Sequence, residues 1–322
     1  MTKTAFTMLE MVFVIAILGI VSSISASVVA NVYDNYLAQK SLYNASIKTE
    51  LAVEQIANRL SYSISSLVVA RNPDNYVDFR ALEESTGGNR DRSMIEWIAY
   101  DNDSFSAQAT PGWSGFADLN SSLNASIRTP GSDLNSTDTI INNLSAGTVS
   151  LNGVADQRPI IIFAGTNYQQ LGSAYDIDCL GLGAVPIANQ AAAASCVIPV
   201  TSNSFANAHD RINFVNLGKN IMHSEFYKLA WSAYAIVPTN IGVTDDALAD
   251  VNFDLFLHSN YQPWADEAYD DASANVSLLI RNVSVFKFLE SGQTLRFKLC
   301  AREGIANLDS YVISCKEKVI AR

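Results

Sequence analysis

The side chains able to do chemistry are few and widely spaced. Glu10 is the first carboxylate of the chain and stands at the head of an uncharged run, Met11 to Ala30. A carboxylate so near hydrocarbon is costly unless a cation meets it, so its position asks for a positive partner. The cysteines form two pairs close in sequence, Cys179 with Cys196 and Cys300 with Cys315. Two disulfides, each of about 3 kcal/mol by loop closure and formed in an oxidising compartment, are one reading; four buried thiols are the other. Neither pair has C-x-x-C spacing, and the three histidines, His209, His223 and His258, are not clustered near either, which disfavours zinc. No histidine stands in an H-E-x-x-H, G-x-S-x-G or P-loop context, so no catalytic residue can be nominated and a non-enzyme is expected. Asp266, Asp270 and Asp271, like Asp101-Asn102-Asp103-Ser104, offer the loop oxygens that calcium takes. Neither set follows D-x-[DN]-x-[DN]-G, so a solvated acidic loop competes with a calcium site at both, and no other cofactor is implied.

A helix must position Glu10. As a helix, Met11 to Ala30 reaches about 30 Å, the thickness of a bilayer core. Lys3 and the terminal amine make a short positive cap, which keeps the N-terminus cytoplasmic while the rest crosses. A cleaved secretion signal ends in a small-x-small site beyond its apolar core. Here the run passes instead into a helical pattern, with Tyr43, Ile47, Leu51, Ile56, Leu60, Ile64 and Leu67 at steps of three to five. Neither Pro nor Gly interrupts Ile20 to Arg71, and Asn72-Pro73-Asp74-Asn75 is a stop. The pattern predicts one helix from Phe6 to about Ala70, transmembrane over 6–30 and amphipathic over 31–71.

The stretch Ala5-Phe6-Thr7-Met8-Leu9-Glu10-Met11-Val12-Phe13-Val14-Ile15-Ala16-Ile17-Leu18-Gly19-Ile20 resembles the class III leader and helix start of type IV pilins and type II secretion pseudopilins. The resemblance implies a 1–5 leader cut by prepilin peptidase between Ala5 and Phe6, with Phe6 then N-methylated. Ala5 stands where the family usually carries Gly. Glu10 becomes the fifth residue, and its implied role is to neutralise the Phe6 ammonium of a neighbouring subunit during assembly. The implied partners are other pilin-like subunits, prepilin peptidase and the inner-membrane assembly platform. The implied location is the bacterial inner membrane, single-pass with a periplasmic head, and then a periplasmic pseudopilus or surface pilus.

The rest of the chain, 72–322, reads as a β-rich globular head. Candidate strands are Met94–Tyr100, Pro159–Ala164, Arg211–Asn216, Lys228–Val237, Asn252–His258, Val276–Arg281, Val283–Glu290, Thr294–Ala301 and Tyr311–Val319, bounded by Gly, Pro, Asn and Asp. The clearest unit is Ser284 to Cys300, where alternating apolar residues flank Ser291-Gly292, a hairpin with one buried face. This end also resembles the C-terminal sheet of J-type pseudopilins. Residues 104–152, rich in Ser, Asn, Gly and Thr, read as a polar surface insertion. The expected class is therefore α+β: a long N-terminal helix packed on a mainly antiparallel, pilin-like head. A head of about 250 residues exceeds one typical domain and would crowd a thin filament if repeated, which favours a minor subunit at a tip or in initiation. Net charge of −11 and pI near 4.7 oppose general binding to nucleic acid or anionic membrane. Arg281 to Arg322 nevertheless holds eight Lys or Arg against four acids, which leaves an adhesive or DNA-capturing tip as the alternative.

Overall fold

The computed structural model describes residues 7–82, 92–106, 111–123, 125–154, 157–163, 180–183, 197–202, 209–215, 224–239, 252–292, 294–305 and 310–321. It opens with α1, Met8–Leu60, about 80 Å long at 1.5 Å per residue. Every residue from Met8 to Tyr36 is exposed. Burial starts at Leu37 and continues through Ser41, Ala45, Thr49, Ala52, Val53, Ile56, Ala57 and Leu60, a single stripe at helical spacing. The stripe is rich in small residues, which lets the helix axis approach the sheet closely. Thr49 costs little there because its hydroxyl donates to Ala45 O at 2.7 Å. Tyr43, Ile47 and Leu51, which the periodicity assigns to the packed face, are exposed instead. They lie about 200° around the helix from Ala45 and Thr49, on the opposite side.

The helix ends ten residues earlier than its pattern suggests. Ser61 N–H returns to Ala57 O at 2.9 Å and the Ser63 hydroxyl to Leu60 O at 2.6 Å, which closes the last turn. The chain then enters β1, Ser63–Asn72, so residues 63–71 are strand where a helix was expected. Leu67-Val68-Val69-Ala70 is buried on both faces, and a fully buried strand lacks the alternation that distinguishes it from a buried helix.

Further along come β2 (Asn75–Ala81), β3 (Met94–Ala99), α2 (Asn102–Ser106), β4 (Asp118–Leu123), β5 (Ser126–Arg128) and α3 (Leu134–Leu144). They are followed by β6 (Ile160–Phe163), β7 (Ile198–Ser202), β8 (Arg211–Phe214), β9 (Tyr227–Ala230) and β10 (Ser232–Thr239). The last strands are β11 (Phe253–Tyr261), β12 (Asn275–Ser291), β13 (Thr294–Gly304) and β14 (Tyr311–Ala321). Among the described residues these form an eight-stranded sheet in the order β14-β13-β12-β11-β10-β3-β1-β2, and a six-stranded one in the order β4-β5-β8-β7-β6-β9. The pairings are antiparallel, so the class is α+β. The expected strand Lys228–Val237 divides at Trp231, with one half in each sheet. The two expected strands around Asn282 are one strand with a left-handed residue there (φ 58°) and a bulge opposite β11. The hairpin closes as read, Ser291 opposite Thr294 with Gly292 at φ 60°.

α1 covers one face of the larger sheet. Val53, Ile56 and Leu60 meet Ile95, Trp97, Leu257 and Phe297 in the first core. Ion pairs flank this contact: Lys48–Glu303 at 2.8 Å, Lys316–Glu50 at 2.8 Å, and Lys318–Glu54. The opposite face packs Ile64, Val69 and Met94 against Ile160, Leu182 and Trp264. A third core belongs to the smaller sheet and corrects the reading of 104–152. That stretch supplies β4, β5 and α3 and buries Trp113, Ile127, Leu134, Ile141 and Leu151. Its polar residues satisfy one another locally; the Asp138 carboxylate accepts from Leu151 N at 2.7 Å, Ser150 Oγ at 2.7 Å and Asn152 Nδ2 at 3.1 Å.

Candidate functional site

Two regions concentrate functional chemistry. The first is the projecting half of α1, long and apolar enough to cross a membrane once and wholly outside the packed core. Thr7 is its N-cap. The Thr7 hydroxyl accepts from Glu10 N at 3.4 Å, and the Glu10 carboxylate accepts from Thr7 N at 3.0 Å and from the Thr7 hydroxyl at 3.0 Å. This reciprocal box satisfies backbone donors at the helix start and holds the carboxylate against Thr7. Sequence reasoning gave Glu10 only a role between subunits; the Thr7-x-x-Glu10 spacing was the overlooked signal for this second role within the chain. Ala5 and Phe6 lie outside the described residues.

The remaining predicted residues are scattered. Cys300 and Cys315 form a disulfide across β13 and β14, in register as opposed residues, whereas Cys179 and Cys196 lie outside the described residues. Asp266 takes a left-handed conformation after a short 3-10 turn, and the Asp271 carboxylate accepts from Ala268 N at 2.6 Å. Among the described residues no group of three or more His, Cys, Asp or Glu is placed to hold a metal ion. His258 bonds Tyr269 O through Nδ1 at 2.6 Å, and burial lowers its basicity. His209 meets Asn135 at 2.7 Å, and His223 lies outside the described residues.

Sequence reasoning missed a buried charge cluster. Arg71 on β1 and Glu96 on β3 are both fully buried, with Nε to Oε2 at 2.8 Å. The guanidinium also donates to Leu182 O at 2.7 Å, Gly183 O at 2.9 Å and Tyr76 O, and lies over the Tyr76 ring at 3.9 Å. Tyr261 OH donates to the second Glu96 oxygen at 2.8 Å. Burial pushes the Glu96 carboxyl up, Arg71 opposing it. The cluster ties the 180–183 segment to the sheet, where Gly181 at φ 80° passes so near Pro263 that a Cβ would stand 2.0 Å from its carbonyl oxygen. A lone Glu inside Met94-Ile95-Glu96-Trp97-Ile98-Ala99 was the available signal.

The second region is a cleft of about 580 Å³ where α1 ends, between its last turn, the strand ends of the larger sheet and residues 100–103. Asp101 lies on its wall as the N-cap of α2, accepting from Ser104 N at 3.2 Å and from the Ser104 hydroxyl. Burial raises its carboxyl to about 7, against the pull of the Ser104 backbone N–H. The chain matches no family model, no curated protein and no solved structure.

Proposed function

We propose that this protein is a minor pilin or pseudopilin, a subunit processed by prepilin peptidase and assembled through its N-terminal helix into a type II secretion pseudopilus or a type IV pilus, at the tip or in initiation. The observation that carries this reading is the projecting half of α1. About 43 Å of helix, Met8 to Tyr36, is without cover, and its uncharged run, Met11 to Ala30, begins at one carboxylate. A plain anchor needs only the apolar length. Glu10 at its cytoplasmic edge, beside the residue that becomes the amine terminus after processing, adds the means to fix axial register between stacked helices. Tyr43, Ile47 and Leu51, exposed on the side of α1 facing away from the sheet, extend that apolar surface past the membrane and give neighbouring helices more to pack on.

Glu10→Gln tests the charge separately from the cap, because Gln preserves the capping box and loses the ion. The expected result is normal membrane insertion with incorporation into the filament reduced at least about tenfold, and Thr7→Val, which removes the cap and keeps the ion, much milder. Full incorporation of Glu10→Gln reduces the carboxylate to a helix cap and sinks the assembly role.

A second reading, a tip that captures nucleic acid, rests on the outer face of the C-terminal strands. Lys287 and Lys298 stand directly opposite one another there, Arg296 and Arg302 share the face, and Glu317 is their acidic neighbour. Like charges in register cost sheet stability, and an anionic partner would relieve that cost. Binding of the protein to DNA that weakens steeply with salt supports this reading, and no binding at low salt removes it.

A further inference from the structure

The sheet face beneath α1 changes character where the helix stops. Under the helix, Ile236 pairs with Leu257 in the first core. One row further on, Tyr234 pairs with Ser259 and Ser259 with Asn275; Ser277 sits opposite Leu257. Apolar residues at Ser259, Asn275 and Ser277 would simply have extended the core. Hydroxyls and an amide open into the cleft instead. Across from them stand Gln55, Asn58 and Arg59 of α1, with Tyr62 and Tyr100 beyond. Its volume falls in the roughly 300–1,000 Å³ range of small-ligand sites.

Charges of both signs stand around the cleft, with Asp103 and Arg59 exposed among them. Asp101 is held by Ser104, and the Arg59 guanidinium lies 5.6 Å from the centre of the Tyr234 ring. A phosphate would meet Asp101 and Asp103 on the same wall, and an ammonium would meet Arg59. The Tyr62 ring beside neutral amides and hydroxyls is left to do the recognising, since Trp97 and Arg59 already lie against the Tyr234 ring and Lys228 over that of Tyr100. Rings offer flat apolar faces with a polar tip, and amides both donate and accept. We propose that this cleft is a binding site for a neutral oligosaccharide, whose C–H face lies on Tyr62 while its hydroxyls bond Asn58, Ser259 and Asn275. The site stands independently of the assembly reading, since none of these residues belongs to the projecting half of α1.

The test uses the full chain in lipid nanodiscs, because sugar-headed detergents would compete. Isothermal titration and the fluorescence of Trp231, which lines the cleft, are followed with N,N′-diacetylchitobiose, maltotriose, lactose and, as an anionic control, 3′-sialyllactose. The expected result is saturable binding of at least one neutral sugar with Kd below about 1 mM, equivalent to about −4 kcal/mol. Asn58→Ala, on the exposed side of the last helical turn, should weaken it about tenfold with an unchanged melting temperature. Ser259→Phe, which fills the cleft, should abolish it. A melting scan of each variant separates lost binding from lost folding. No saturable binding of any neutral sugar to about 10 mM, stronger binding of the sialylated control, or undiminished binding in folded Asn58→Ala and Ser259→Phe overturns the proposal.

Discussion

Arg71→Met should be among the most damaging single substitutions in the head, and the reason can be traced atom by atom. The wild-type guanidinium satisfies Glu96 and the carbonyls of Tyr76, Leu182 and Gly183 in a site with no solvent exposure. Removing one member of a buried pair costs about 3–5 kcal/mol, because the other charge is left without compensation. Glu96, its carboxyl already raised by burial, will take up a proton and limit the loss to that range. At about 2–4 °C per kcal/mol for a domain of this size, the melting temperature falls by roughly 6–20 °C. The assay is thermal unfolding of the full chain followed by near-ultraviolet circular dichroism, for Arg71→Met, Glu96→Leu and the double variant. The double variant should recover much of the loss, giving a coupling of at least about 2 kcal/mol between the two sites. Single losses below about 1 kcal/mol, or strictly additive effects, would refute the argument that the cluster's worth lies in mutual compensation.

Other consequences concern Asp101 and the C-terminal disulfide. Asp101 has a folded pKa of about 7 against about 3.9 for an unfolded aspartate, so the folded state holds the proton more tightly. The Asp101 contribution to stability is therefore greatest below pH 4, declines as pH rises towards 7, and is lower by up to about 4 kcal/mol above it. Asn caps helices as well as Asp does, so Asp101→Asn should flatten that decline between pH 5 and pH 8; parallel pH profiles for the two proteins would contradict the assignment. Replacing both Cys300 and Cys315 with Ser opens a crosslink spanning 15 residues, and loop-closure entropy predicts a loss of about 3 kcal/mol, seen as a lower urea midpoint. An unchanged midpoint would mean that the β13–β14 pairing alone holds this edge.

The legible parts of the sequence were those with long, unmixed signals. The uncharged run after Glu10 gave the projecting helix, and the alternation from Ser284 to Cys300 gave the β12–β13 hairpin with its turn at Gly292. Reading failed where two physical rules share one pattern. Ile64 and Leu67 continue a helical spacing, yet they belong to a strand buried on both faces. Tyr43, Ile47 and Leu51 look like a core stripe, whereas the sheet accepts the smaller Ala45, Thr49 and Ala52, which permit closer approach. The 104–152 stretch reads as a polar surface insertion that buries little, but its Ser, Thr and Asn residues bond one another around Trp113, Ile127 and Ile141. The Arg71–Glu96 pair joins residues 25 apart in sequence, and the cleft draws on α1, β10, β11 and β12. Neither can be seen until the strands are in order.

The proposed assembly role rests on processing of the N-terminus, so that α1 enters a filament with Glu10 beside a new amine. Mass spectrometry of the mature protein's N-terminal peptide tests this most directly. Processing predicts a chain that begins at Phe6 with an N-methyl group, five residues shorter than the translated sequence. A chain beginning at unmethylated Met1, or cut beyond Ile20, would contradict it and leave a simple tethered head.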